Sequence, residues 1–535
     1  MLRSYGVSRC QQHEEFHREI APAWLMRESG YEQPIMTSQS VLRSTFGYET
    51  FRPGQEEIVD ALVKGDDVLA VMPTGAGKSL CYQVPALVRG GLAIVVSPLV
   101  ALMQDQVSAL KLAGVQAETI NSAQTREENV AVWRSVSRGE TRLLYLSPER
   151  LMTDRMLAAL QACDVRLIAV DEAHCMSQWG ASFRPEYDML SGLRPSFPGV
   201  PIGAFTATAD ERTRRDIVRK LTGGKARVFV SGFDRPNIRL TVETKSNTGK
   251  QLLRFLEEHE GESGIVYALS RNSAEKLAEK LQENGYRALA YHAGLSAENR
   301  ADTQNVFMAE KGVIVCATIA FGMGIDKPDV RFVFHADLPS SLDAYYQEIG
   351  RAGRDGEAAE AHMVFGKQDI VMRRKFIDQE EAGEERRRRE VKRLNALVDY
   401  AQTLDCRRQA LLSYFGEASE ACGNCDICLG TSAPVDSPTS IRTRRKSAAM
   451  ADPRSDALLQ RLKALRMKIS RTARVPPYVV FSDKSLIDMA AKVPLTKWDF
   501  GEVHGVGEAK LERFADIFLT EIRAFVQENA AGKRA

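Results

Sequence analysis

Short runs of apolar, often β-branched residues recur along the first two thirds of the chain, each separated from the next by a stretch of helical periodicity. Asp67–Val71, Ala93–Val96, Leu143–Leu146, Leu167–Val170 and Ile202–Phe205 form one set. Gly264–Tyr267, Ala288–Tyr291, Val313–Ala317, Arg331–His335 and His362–Phe365 form a second. Unbroken apolar runs of this length predict strands buried on both faces, and the helices between them predict parallel sheets. Two such sets, joined near Ser231–Asn237, predict an α/β protein with two tandem lobes. Beyond Phe365 the pattern turns helical and charged over 368–413. There Arg386–Arg389 is flanked by Glu384, Glu385 and Glu390 at helical spacing, which reads as a salt-bridged face, with a DNA-contacting face as the alternative. Residues 430–454 have linker composition. Leu458, Leu462, Leu465 and Ile469 then make an apolar stripe at helical spacing, predicting a small all-α domain from about Ser455.

Composition narrows the class without deciding it. The 535 residues suit roughly three to four domains, and 44% hydrophobic with 27% charged residues is ordinary for a globular protein. Lys plus Arg is 72 against 70 Asp plus Glu, a net +2, so any nucleic-acid surface must come from local clustering. No apolar run approaches the ~18–20 residues of a membrane span, and no signal-peptide core is visible. Nine cysteines, mostly scattered, point away from a disulfide framework and toward a reducing cytoplasm. Cys81, Cys163, Cys175 and Cys316 sit in apolar contexts and read as small core residues. The first 35 residues lack any α/β pattern and read as a disordered extension, with Met36 the expected start.

The chemistry lies in four places. Met72-Pro73-Thr74-Gly75-Ala76-Gly77-Lys78-Ser79 follows a predicted strand and opens a predicted helix. Backbone N–H groups at Thr74, Gly75 and Gly77 can approach phosphates, Lys78 can reach the β- and γ-phosphates, and Ser79 suits Mg²⁺. Asp171 ends an apolar strand, where a carboxylate can hold Mg²⁺, and Glu172 is placed to deprotonate a water. Trp179, Phe183, Arg184 and Tyr187 follow within the same segment; aromatic rings and an arginine plane are what unstacked bases pack against. Gln347–Gly356 carries Arg351 and Arg354, candidate arginine fingers from the second lobe. Finally, Cys406, Cys422, Cys425 and Cys428 have the spacing of a closed, structural Zn²⁺ site. His13-Glu14-Glu15-Phe16-His17 fits a zinc-protease pattern but lies outside any predicted core and has no evident third ligand.

These pieces, in this order, resemble the RecQ family of superfamily 2 DNA helicases from about Val41 to Leu429. Further matching segments are Phe46–Tyr48 with Phe51-Arg52-Pro53-Gly54-Gln55, Ser97–Leu99, Thr206–Ala209, Phe233–Asn237, Tyr291–Gly294 and Ala320–Asp326. The resemblance implies two RecA-like lobes, adenine reading by Phe51, Arg52 and Gln55, and coupling of hydrolysis to strand movement by Thr206 and Thr208. It also implies that His174 bridges to the second lobe through Gln347. It implies ATP-dependent, 3′→5′ unwinding of DNA in recombination, repair and replication, with ATP, Mg²⁺ and structural Zn²⁺. The expected partners are single-stranded and partly duplex DNA, single-stranded DNA-binding protein and other repair proteins. The expected form is a monomer, cytoplasmic and nucleoid-associated, of bacterial type.

The division expected is 36–228 and 229–366 for the lobes, 367–430 for a zinc-binding subdomain, 431–454 for the linker and 455–530 for a domain that resembles the HRDC domain. Its turn Val503–Lys510 could meet a DNA phosphate or serve packing alone. Arg407 and Arg408 could touch DNA or form a solvated face. Two departures stand out. Ala181-Ser182 replaces a His-Asp pair usual in the family's aromatic loop. The winged-helix domain of roughly a hundred residues that commonly follows the zinc cluster has no counterpart. A DNA-stimulated ATPase, translocase or strand-annealing factor with weak unwinding is therefore the alternative. An RNA-directed motor and a non-catalytic scaffold fit the motifs less well.

Overall fold

The computed structural model describes residues 36–121, 124–177, 184–322, 327–379, 383–431, 453–473, 475 and 477–531. Strands are numbered in chain order. The first lobe holds β1 Val68–Val71, β2 Leu92–Val96, β3 Ala117–Ile120, β4 Leu143–Leu146, β5 Val165–Val170, β6 Ile202–Thr206 and β7 Arg227–Val230. They form one parallel sheet in the order β3-β4-β2-β5-β6-β1-β7. The second lobe holds β8 Ile238–Thr244, β9 Ser263–Tyr267, β10 Arg287–Tyr291, β11 Val313–Ala317, β12 Val330–His335 and β13 Ala359–Phe365. Its sheet is also parallel, in the order β10-β11-β9-β12-β13-β8.

Alternate residues of each strand serve opposite faces, so one strand feeds two cores. Leu69 and Val71 of β1 join Ile94, Ile168 and Val170 on one side of the first sheet. Val68 and Ala70 join Val95, Tyr145 and Phe205 on the other. The first of these cores continues through Val315 and Val333 of the second lobe into Leu394, Cys406, Leu411 and Cys425 beyond it. The two lobes and the cysteine-bearing subdomain thus share one apolar interior.

Every strand expected from the apolar runs is present. Three more, β3, β7 and β8, were not foreseen, and each lies at a sheet edge. An edge strand has a wet face or flank and does not need a continuous apolar run. In β7, Val228 and Val230 are 48% and 43% exposed, and β8 alternates buried with half-exposed positions.

The helices Lys367–Gln379, Glu384–Gln402 and Arg407–Tyr414 follow the second lobe. The Arg386–Arg389 run is laced to its acidic flank by Arg388–Glu384 at 2.5 Å and Arg389–Glu385 at 3.2 Å, and Arg393 pairs with Glu390 at 2.8 Å just beyond it. The C-terminal domain comprises helices Pro453–Ala473, Pro477–Val480, Asp483–Lys492, Lys497–Gly501 and Glu508–Ala531. Phe481 centres its core, packing edge-on against Phe500, Phe514 and Phe518. Cys81, Cys175 and Cys316 are buried as expected, while Cys163 is half-buried. No helix among the described residues is long and apolar enough to cross a membrane. The 1–35 segment with its His13–His17 pattern, and nearly all of the 431–454 linker, lie outside the described residues.

Candidate active site

The site gathers where strands β1, β5 and β6 end, the usual place for ligands on an open parallel sheet. Strand β1 runs into Met72–Ser79, and the helix Leu80–Arg89 takes over from it. Gly75 and Gly77 turn the loop at φ 84° and 82°, a region that strains any residue with a Cβ. At Gly77 a Cβ would also lie 2.5 Å from the Gln55 amide nitrogen. That amide donates to the carbonyls of Ala76 and Gly77 at 3.0 and 3.1 Å. The Gln55 side-chain oxygen accepts from the Arg52 N–H at 2.8 Å, and the Arg52 guanidinium donates to the Gly75 carbonyl. Gln55 and Arg52 therefore brace the phosphate loop from outside, and Phe51, like Tyr48, packs against the small core of Val41, Leu42, Val59 and Val84. Lys78 donates to the carbonyls of Met72 and Pro73 at 3.1 and 3.4 Å. Burial lowers its pKa, with Glu172 and Asp171 pulling the other way. The Ser79 hydroxyl accepts from Gln106 at 3.3 Å.

At the end of β5, Glu172 adopts φ 48°, one of two non-glycine residues at positive φ among those described. Such a backbone costs of order 1–3 kcal/mol and persists only where surrounding bonds enforce it. Here the Asp171 carboxylate accepts from the Glu172 N–H at 2.9 Å, and the buried Tyr187 hydroxyl donates to the Asp171 carbonyl at 3.0 Å. The two carboxyls are driven apart. Burial, then the neighbouring Glu172, pushes Asp171 above the usual carboxylate range. Burial acts the same way on Glu172 but is outweighed by His174, Lys78 and Arg351, which hold it below that range. His174 itself lies well above its ordinary value, the pull of Cys175 and Glu172 overcoming burial. Divergent neighbours of this kind let one carboxylate stay ionised as a proton acceptor while the other serves a different role.

From Glu172 a chain of contacts leads to the second lobe. His174 Nδ1 lies 3.2 Å from a Glu172 oxygen and 2.8 Å from the Thr206 hydroxyl. Thr206 donates to the Thr208 carbonyl at 3.0 Å, and Gln347 donates to the Thr208 hydroxyl at 3.0 Å. The expected bridge from His174 to Gln347 runs through Thr206 and Thr208, since Nδ1 is engaged within the first lobe and Nε2 faces the Cys175 thiol at 3.7 Å. Gln347 is aimed by the helix Leu342–Ile349, whose first turn is capped by Ser341. That helix ends at Gly350, where a Cβ would sit 3.1 Å from the Thr74 hydroxyl. The turn after it places the Arg354 stem 3.5 Å from where a Cβ on Gly75 would lie. Arg351 is buried, donates to the Gly322 carbonyl and is felt electrostatically by Glu172.

Trp179 and Phe183 lie outside the described residues. The described residues on either side of them are held just beyond the carboxylates: the Ser177 N–H donates to the His174 carbonyl and the Arg184 N–H to that of Cys175. Tyr187 is not a stacking surface, since it is fully buried beneath Asp171.

The sulfurs of Cys406, Cys422, Cys425 and Cys428 all lie within 4.8 Å of one another. Backbone N–H groups of Cys422, Asn424 and Cys428 point at three of them. Four soft thiolates with amide support fit a closed tetrahedral Zn²⁺. Arg407 and Arg408 are neither DNA-facing nor solvated. Arg407 is 4% exposed and forks onto Asp426 at 2.5 and 2.8 Å, and Arg408 bonds Asp234 at 2.9 Å. The alternation of charge with apolar residues gave no sign that these two cations point inward.

Residues 52–217 match the DEAD/DEAH box helicase family, 247–356 the helicase conserved C-terminal domain, 367–429 the RecQ zinc-binding domain and 455–522 the HRDC domain. The chain is 38% identical to the ATP-dependent DNA helicase RecQ of Haemophilus influenzae, covering 92% of this chain and 96% of that one. It is 35% identical to the protein of that name from Bacillus subtilis, over 92% and 99%. The chain belongs to the RecQ family. Among solved structures, a DEAD-box helicase bound to ssRNA aligns with a TM-score of 0.50 at 17% identity, over 64% of this chain and 77% of that one, a likeness of fold. The alignment with the H. influenzae RecQ runs to 601 positions yet uses 92% of these 535 residues, about 490, so roughly a hundred positions have no counterpart here. Only 432–452 separate the described parts of the zinc-binding and HRDC domains.

The HRDC turn packs rather than waits for a phosphate. The Gly505 N–H donates to the Gly47 carbonyl at 2.9 Å, and Tyr48 meets His504 edge-on at 5.2 Å. A Cβ on Gly507 would lie 2.4 Å from the Thr45 carbonyl. One residue with a place in this RecQ site went unassigned in the sequence. Arg235, between the lobes, donates to the carbonyls of Thr74, Ala352 and Gly353 at 3.0, 2.9 and 2.9 Å. Its isolation between Asp234 and Pro236 at the lobe junction was the available signal.

Proposed function

We propose that this RecQ-family chain is an ATP-dependent DNA helicase that moves 3′→5′ along single-stranded DNA. The observation that carries the reading is the convergence of Lys78, Glu172 and the Arg351–Arg354 turn on one cleft, with Gln347 and Thr208 joined across it. Lys78 and the glycine amides hold the ATP phosphates, and Ser79 and Asp171 hold Mg²⁺, which when bound neutralises charge building on those phosphates. Glu172, ionised and steered by His174, takes the proton of the attacking water. Arg354, with Arg351, stabilises the transferred group from the second lobe, so that turnover requires the lobes to meet. Trp179, Phe183 and Arg184 stack on the strand, and Thr206 and Thr208 pass the state of the cleft to the second lobe. Lys78→Ala or Glu172→Gln should lower ATPase by at least about 10²-fold without changing the melting temperature; retained turnover in either would sink the assignment.

The deficit of about a hundred positions against the bacterial relatives supports a second reading: a DNA-stimulated translocase or annealing factor that separates duplexes poorly. One paired assay decides between them, following ATPase with and without single-stranded DNA alongside unwinding of a 3′-tailed duplex at several salt concentrations. Stimulation with unwinding supports the helicase; stimulation alone supports the translocase. A nucleoid location, a monomeric state and contact with single-stranded DNA-binding protein accompany either reading.

A further inference from the structure

The segment Phe233–Asn237 joins the lobes and carries one cation, Arg235, met by oxygens of neutral groups. Its guanidinium reaches the Thr74 carbonyl in the phosphate loop at 3.0 Å and the Gly350 carbonyl at 3.5 Å. It reaches the Ala352 and Gly353 carbonyls in the arginine turn at 2.9 Å each. Asn237 donates to the same Gly353 carbonyl and to that of Glu357, both at 2.9 Å. One planar group therefore ties the loop that holds phosphates to the turn that bears Arg351 and Arg354. Arg354 repels both Lys78 and Arg235 across this seam, so the turn needs attractive partners to stay against the loop. A fan of charge-assisted bonds to carbonyls supplies them.

The other side of the segment is fixed by the zinc-binding subdomain. Arg408 bonds Asp234 at 2.9 Å and also the Ile238 carbonyl. Glu417 accepts from the Phe233 N–H at 2.5 Å, and Asn424, between two of the clustered cysteines, donates to the Pro236 carbonyl at 3.1 Å. Phe233 stacks on Phe415 at 4.7 Å, and its carbonyl accepts from Tyr346 at 2.8 Å. We infer that Arg235 is a positioning residue that clasps the Arg351–Arg354 turn to the phosphate loop, with the zinc-binding subdomain as its backstop. The inference rests on the reading of that turn as the arginine finger.

A double-mutant cycle on the full chain tests it, with wild type, Arg235→Ala, Arg354→Ala and the pair compared in DNA-stimulated ATPase. Arg235→Ala should lower kcat by about tenfold or more, since an angstrom of misplacement is enough for that. KM for ATP and the affinity for ADP, which does not use the finger, should change by less than about twofold. The double variant should be no slower than Arg354→Ala alone. Losses that multiply, or ADP affinity that falls with kcat, would overturn the clasp in favour of a general role in shaping the phosphate loop. Arg235→Lys covers the case in which the alanine variant does not fold. It keeps the charge but gathers its donors on one atom, so kcat should remain depressed at an unchanged melting temperature, and full recovery would overturn the claim. Retained turnover in Arg354→Ala sinks the reading of the turn and the clasp with it. A silent Arg235→Ala beside an inactive Arg354→Ala sinks the clasp alone.

Discussion

The zinc-binding subdomain and the HRDC domain both follow the motor in the chain, and they are attached to it by opposite means. The first is built into the second lobe. Cys425 bridges to Leu240 on the open edge of β8, and Asp426 both donates its N–H to Leu240 and accepts from Val242. The fully buried Arg407–Asp426 pair lies behind that edge, and Cys406, Leu411 and Cys425 belong to the core of the lobes. The HRDC domain has an interior of its own, which takes in Leu112 of the first lobe. It approaches that lobe through backbone at glycines: Gly505 and Gly507 against Gly47 and Thr45, and Ala509 against Gly114. Cations also lie close to the docked domain: Lys463 lies beside Lys311 of the second lobe, and His504, held below its ordinary pKa, lies beside Arg52 of the first. An edge strand covered by a buried ion pair cannot part from its cover without exposing unpaired backbone and charge. A contact made mainly at glycine backbones, with no buried ion pair across it among the described residues, can part at lower cost. The zinc-binding subdomain is thus part of the motor's fold, and the HRDC domain is a docked module.

The strongest challenge to that contrast is metal removal. Structural zinc contributes on the order of 10 kcal/mol to small domains of this kind. Chelation, or Cys425→Ser, should therefore lower the melting temperature of the motor and loosen β8, while the HRDC domain keeps its own helical transition. Hydrogen exchange of Leu240 and Val242 amides reads the difference directly. An unmoved motor after complete zinc loss would break the comparison. Arg407→Ala is a milder form of the same test. Leaving Asp426 buried without its partner should cost about 3–5 kcal/mol, seen as a lower denaturant midpoint.

What was legible in the sequence follows the same physical line. Strands in the middle of each sheet announce themselves because both faces and both flanks are apolar, as in β1, β2 and β4. The edge strands β3, β7 and β8 did not, since polar or exposed positions break their runs. The phosphate loop, the Asp171–Glu172 pair and the four cysteines were readable because their chemistry is bound to short spacings along the chain. Bonds between distant segments were not. That Gln347 would reach His174 through Thr208 and Thr206, and that Arg408 would turn inward to Asp234, depends on how two lobes and a subdomain meet. The Arg235 contacts span 115 to 161 residues, beyond the reach of any local pattern.

The docking half of the contrast can be broken at one glycine. Gly47 has φ 70°, and a Cβ there would lie 2.5 Å from the Val506 backbone nitrogen. Gly47→Ala should release the HRDC domain while costing the motor about 1 kcal/mol for its strained backbone. Limited proteolysis within 432–452, or fluorescence transfer between the HRDC domain and the first lobe, would register the release. A motor melt that falls as far as in the zinc-free protein would show that the HRDC domain is no separable module.

The smallest effect is a pH dependence of the same contact. His504 is held below its ordinary pKa by burial first and then by Lys484 and Arg52, with Asp488 opposing them. Its neutral form is therefore the one that docks, and the released domain binds a proton more readily. Stability of a state that favours the neutral base rises with pH. Docking should be complete above the ordinary histidine value near about 6.5 and should weaken as pH falls through the depressed value, when a cation would face Arg52 and Lys484. Fluorescence transfer between the two domains, followed from neutral pH downward, should decline over that range, and His504→Gln should flatten the decline. Added salt screens the repulsion between exposed cations, so the loss at low pH should shrink as ionic strength rises. An acid-induced release that grows with salt would instead place the titrating group in an attractive pair.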